Sequence, residues 1–74
     1  MKIKDTVKQI LMNHLFEKYD SVTQKIIEKE VYLETGKKSR CDIKENGDVS
    51  LSVLDKGAEI FTVILTSSGI SEAR

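Results

Sequence analysis

One histidine, one cysteine and one short basic run are the groups in this chain with chemistry to offer. His14 is the conventional general base. It stands next to Leu15 and one turn from Ile10 and Leu11. A histidine beside an apolar stripe is expected to be a boundary residue with one satisfied nitrogen, and its titration near neutral pH is its functional lever. Cys41 alternates with polar neighbours in a strand-like run, which points it inward, where a thiol behaves as a small hydrophobe. The two could meet in space, but no third group is indicated to orient the base, so an enzyme is not expected. One His and one Cys cannot build a zinc site. Asp42, Glu45 and Asp48 lack the ligand spacing of a calcium loop. Gly36, Gly47, Gly57 and Gly69 are isolated, so no phosphate-cradling loop is present. Neither a metal nor another cofactor is expected.

Lys37, Lys38 and Arg40 form the one basic cluster, and Lys44 follows two strand steps beyond Arg40 on the same face. These four are the candidate phosphate contacts. In a winged helix-turn-helix, residues 20–30 would be the recognition helix and Asn46-Gly47 the tip of the wing. Against that reading, Glu28 and Glu30 interrupt the lysines of the helix, and there is no room for a further helix. Lys plus Arg and Asp plus Glu are 12 each, a formal net charge of zero. That argues against adhesion to phosphate by bulk charge, so nucleic acid is the less favoured partner.

The 74 residues are enough for one small α+β domain, whose stability is marginal. A single cysteine excludes an intrachain disulfide. Extra stability is therefore expected from tight packing or from a partner subunit. No apolar run reaches the roughly 20 residues that span a bilayer. The start, Met1-Lys2-Ile3-Lys4-Asp5, lacks the apolar core of a signal peptide, so the expected place is the cytoplasm, with a reduced thiol and no membrane contact.

Two kinds of element must position these groups. Val7, Ile10, Leu11, His14, Leu15 and Tyr19 follow helical spacing, with Met12 and Phe16 widening the apolar face. Thr6 and Gln9 fit a capping box, so the expected helix runs from about residue 5 to 19. Residues 20–23 are mediocre helix formers, and Ser21 with Gln24 fits a second capping box. A break and a new helix near Ser21 is favoured; one long helix is the rival. Val31, Leu33 and Thr35 alternate with Tyr32 and Glu34, which favours a strand after a helix end near residues 28–30. The alternative is a helix that continues to Gly36 as its C′ residue. The segment Met1–Lys4 reads as a short strand or a frayed lead-in.

Farther on, Asn46-Gly47 between alternating runs predicts a type I′ hairpin. Asp55-Lys56-Gly57-Ala58 predicts a second turn, and residues 67–74 a loose polar tail. The expected fold is α+β: one or two N-terminal helices packed on a three- or four-stranded antiparallel meander. Cys41, Ile43, Val49, Leu51, Val53, Phe61, Val63 and Leu65 would face the helix. The last strand carries Phe61, Val63 and Leu65 on one side and Ile60, Thr62 and Ile64 on the other. A strand apolar on both faces asks for cover on both. Ile60, Thr62 and Ile64, with Met12 and Phe16 of the first helix, are therefore the candidate protein interface. The expected function is a non-enzymatic module that binds another protein, as an adaptor or inhibitor, and works as a homodimer.

Overall fold

The computed structural model describes residues 3–14 and 20–73. Two helices come first, α1 (Ile3–Asn13) and α2 (Ser21–Thr35). Four strands follow: β1 (Ser39–Ile43), β2 (Val49–Asp55), β3 (Ala58–Thr66) and β4 (Gly69–Ala73). The strands form one antiparallel meander in the order β1-β2-β3-β4. Both helices pack on the same face of this sheet, α1 against β3 and α2 against β1. Val7, Ile10 and Leu11 of α1 and Ile27 and Val31 of α2 close over Cys41, Val49, Leu51, Val53, Phe61, Val63 and Leu65. The α+β architecture and the inward set of the strands are as expected, with Ile43 only half-buried.

Helix α1 begins at Ile3, so Thr6 lies within it and does not cap it. The segment from Ile3 is helical, not a strand. The helix ends at Asn13, and the His14 amide donates to the Leu11 carbonyl at 3.0 Å. Leu15, Phe16 and Tyr19 lie outside the described residues.

The favoured break holds, but its cap is Asp20 and not Ser21. The Asp20 carboxylate accepts from the amides of Val22 (3.1 Å) and Thr23 (3.0 Å). Chiefly the Thr23 amide holds that carboxyl below its ordinary pKa, as expected of an anion at the positive end of a helix. The expected strand over residues 31–35 is not there. Helix α2 continues through Thr35, and Gly36 ends it at φ 73, its amide donating to the Tyr32 carbonyl at 2.8 Å. Val31 lies one turn beyond Ile27, and this pair forms the buried side. The period-two pattern of Val31, Leu33 and Thr35 was coincidental, because Leu33 stays in solvent.

Side chains of α2 also close the edge of the sheet. Gln24 donates to the Cys41 carbonyl at 3.1 Å, and Glu28 accepts from the Cys41 amide at 2.8 Å. Spaced four apart on the helix, they supply β1 with the partners that a further strand would give, and so blunt an exposed edge.

The first hairpin turn differs from expectation. Ile43 pairs with Val49, and the Gly47 amide donates to Lys44 O (2.9 Å) and the Lys44 amide to Asp48 O (2.8 Å). Gly47 has φ 92, while Asn46 does not enter positive φ. The loop is therefore a three-residue connection closed by a left-handed glycine, not a type I′ turn. The two-residue turn with both φ values positive lies at Lys56 (55°) and Gly57 (85°). Just beyond it, the register shift opposite Val53/Leu54 leaves Ile60 as a bulge.

The tail expected to be loose forms β4. Thr66 shapes the turn by accepting from the Ser68 amide and donating to the Gly69 carbonyl, both at 3.1 Å. Ile70 packs against the core, and Glu72 meets Lys8 at 2.7 Å and Lys4 at 3.1 Å. Alternate residues of this polar-looking segment thus have partners, Ile70 in the core and Glu72 on α1.

Candidate functional site

The expected interface residues do not come together. Thr62 and Ile64 belong to the sheet face opposite the helices, Ile60 stands at the bulge where the alternation breaks, Met12 is exposed on α1 in the other layer, and Phe16 lies outside the described residues. Neither α2 nor the described part of α1 lies over that sheet face, where polar side chains pair with one another. Thr62 Oγ1 and Ser52 Oγ are hydrogen-bonded at 3.0 Å, and Thr62 donates to Glu59 at 3.3 Å. Ile64 is half-buried between its cross-strand neighbours Ser50 and Ser71. Ile60, at the bulge, is the large apolar side chain exposed there.

The expected phosphate contacts are also divided. Arg40 is engaged by Asp42 (3.3 Å) and Glu59 (3.6 Å), and Lys37 by Asp55 (3.6 Å). Lys44 sits in the hairpin loop at the far end of β1. Lys38 and Lys44 have no ion pair among the described residues, and Lys38 lies beside lysines of α2. Two hollows share Tyr32 and Lys38 in their linings. One adds Lys25, Glu28, Lys29 and Ser39; the other adds Lys37, Lys56 and Asp55. Among the described residues, Lys25, Lys29, Lys38 and Lys56 have no ion pair. Residues 25, 29 and 32 share one side of a helix; the two lysines stood on a helix in the winged-helix reading as well, and reading residues 31–35 as a strand hid only Tyr32.

On its other flank α2 meets α1 along a groove of about 580 Å³, lined by Ile10 and Leu33 and rimmed by Asp5, Glu30 and Glu34. Helix α2 is thus basic on one side and acidic on the other. Between the flanks, its outward face carries Val22 (63% exposed), Ile26 (46%) and Leu33 (68%), with Tyr32 (53%) at the basic margin.

The two groups capable of catalysis are held in the structure. His14 is buried, its Nε2 2.9 Å from Glu30 Oε1. Cys41 is in the core, and burial, with the charges of Glu28 and Asp42, pushes its thiol pKa up to about 12. A thiol kept protonated is a poor nucleophile. Among the described residues, no cluster of three or more His, Cys, Asp or Glu could hold a metal ion, and no helix is long and apolar enough to cross a membrane.

No family model matches the chain, and no curated protein or solved structure matches it.

Proposed function

We propose that this chain is a non-enzymatic protein-interaction module, of the adaptor or inhibitor kind, whose contact surface is the outward face of α2. One observation carries this. Helix α2 turns four large apolar or aromatic side chains to solvent (Val22, Ile26, Tyr32, Leu33) and buries two, Ile27 and Val31. A helix that only completed a core would do the reverse. Contiguous exposed apolar surface with polar margins is the mark of an interaction site. The buried thiol of Cys41 suits a reducing compartment, the cytoplasm. Immobilised protein should capture a partner from nuclease-treated lysate, and the Val22→Asp/Leu33→Asp variant should not. Equal capture by both would reject the α2 surface.

A second reading rests on Tyr32 and its unpaired lysines. An exposed ring among cations suits a single-stranded nucleic acid, with a base stacked on the tyrosine and phosphates along the lysines. Ser39 lines the same hollow, and its Oγ is buried with no hydrogen-bond partner among the described residues. Zero net charge favours the first reading, which expects no submicromolar binding of a labelled oligonucleotide near physiological salt. Tight binding abolished by Lys38→Glu/Lys56→Glu would put the second reading first.

A further inference from the structure

We propose that the occupant of α2's outward face is a second copy of this chain, with the two α2 helices side by side and running in the same direction about a two-fold axis. This rests on the interaction-module reading and names its partner. Val22, Ile26, Lys29 and Leu33 are spaced four, three and four apart and are all exposed. At 100° per residue they fall within about 60° of one another, centred opposite the buried pair Ile27 and Val31. That is the spacing of a two-helix seam, with Ile26 and Leu33 in one set of equivalent positions and Val22 and Lys29 in the other.

The charges choose the direction. Lys25 lies on the basic flank of the seam and Glu30 on the acidic flank, beside the α1 groove. In a parallel pair, opposite flanks meet, and a residue on one faces the residue five positions later on the partner helix. Lys25 then faces Glu30 of the partner subunit, and the two-fold axis makes that contact twice. An antiparallel pair brings like flanks together and loses both contacts. Lys29 is the polar residue in the seam. It meets its own equivalent across the axis, which weakens the dimer while fixing its register. A two-fold contact of this kind closes on itself and does not propagate.

Sedimentation equilibrium between about 1 and 200 µM reads the association directly. The wild-type chain is expected to dimerise in that range. Lys29→Leu should tighten the dimer at least about ten-fold, a gain that misfolding cannot mimic. Ile26→Asp should weaken it by at least about ten-fold with an unchanged circular-dichroism spectrum. Lys25→Glu should weaken it by roughly ten-fold, and raising the salt concentration should weaken the wild-type dimer more than the Lys25→Glu one. Leu33→Cys should cross-link to a covalent dimer under diamide, because equivalent positions face each other; the buried thiol of Cys41 does not compete. A wild-type monomer at the highest concentration overturns the proposal, as does a dimer indifferent to Ile26→Asp or one in which Leu33→Cys fails to cross-link. A monomer that still captures another protein through Val22 and Leu33 would reject the second copy but keep the α2 surface. Loss of both would reject the two together.

Discussion

The outer face of the sheet and the outward face of α2 are both uncovered by the other described elements, yet they leave different things unsatisfied. On the sheet, Ser52 bonds Thr62, Thr62 bonds Glu59, and Arg40 bridges Asp42 and Glu59. Ser50 and Ser52 are buried although neither described helix lies over them, because cross-strand neighbours close around small side chains. On α2 the polar groups lie at the margins, and Val22, Ile26 and Leu33 have no such enclosure. Exposure alone therefore does not mark an interface. What marks it is apolar area left without a partner in the same chain.

The largest expected effect on the sheet side comes from Ile64→Asp. Half-buried between Ser50 and Ser71, Ile64 should cost roughly 1–2 kcal/mol of stability when replaced by a carboxylate. The oligomeric mass should not change. A changed mass at unchanged melting temperature would invert the comparison and return the interface to β3.

Next comes the hydroxyl pair. Thr62→Val keeps the shape but removes the partner of a buried Ser52 hydroxyl, for an expected loss of about 1–2 kcal/mol. Adding Ser52→Ala should recover most of it, because two absent polar groups cost less than one orphan. A thermal melt of the three variants checks this. Full additivity would mean that the pair is not coupled and that the sheet face is less self-satisfied than α2's neighbourhood.

Much of the sheet was legible because period-two alternation and turn residues act locally. The strands around Leu51 and Val63 needed only that pattern. Elements whose identity depends on distant partners were not legible. Residues 31–35 alternate like a strand, yet Val31 stacks one turn after Ile27 and Gly36 stops a helix there. Residues 69–73 look like a polar tail, yet Glu72 is held by Lys4 and Lys8, more than sixty residues earlier. Of the expected interface, β3's two-sided character was read correctly, but its outer face is answered by hydroxyl groups on neighbouring strands, which no single strand reveals. The exposed face of α2 became readable only once its last turn was known to be helical. Tyr32 was missed for the same reason, while Lys25 and Lys29 read only as lysines of a candidate recognition helix.

A smaller effect is expected at the rim of the sheet, where β4 is tied to α1. The hydrogen bond from Lys8, and then that from Lys4, hold the Glu72 carboxyl below its ordinary value of 4.5. A depressed carboxyl adds stability above the unfolded value and loses it as pH falls through the folded one. Wild type should thus melt above Glu72→Gln at neutral pH, and the gap should close below about pH 4.5. High salt should close it too, since these charges are exposed. A gap that persists at pH 3 would mean that Glu72 acts through packing.

The smallest effect, and the sharpest contrast with Ile64, is expected on the stability of a monomeric α2 face. Leu33 is 68% exposed and Val22 63%. Neither contributes to the core cluster formed by Ile27 and Val31. A carboxylate at either place gains no buried surroundings and loses few contacts, so Leu33→Asp or Val22→Asp should shift stability by no more than about 0.5 kcal/mol. Helix propensity gives the direction of the remainder, because Asp is a poorer helix former than Leu. The melt must be read at a dilution where the chain is monomeric, since association itself stabilises the folded state. Binding, by contrast, should fall sharply in both variants. If Leu33→Asp instead unfolds the dilute protein, then Leu33 supports the core, α2 has no spare apolar face, and the difference between the two surfaces disappears.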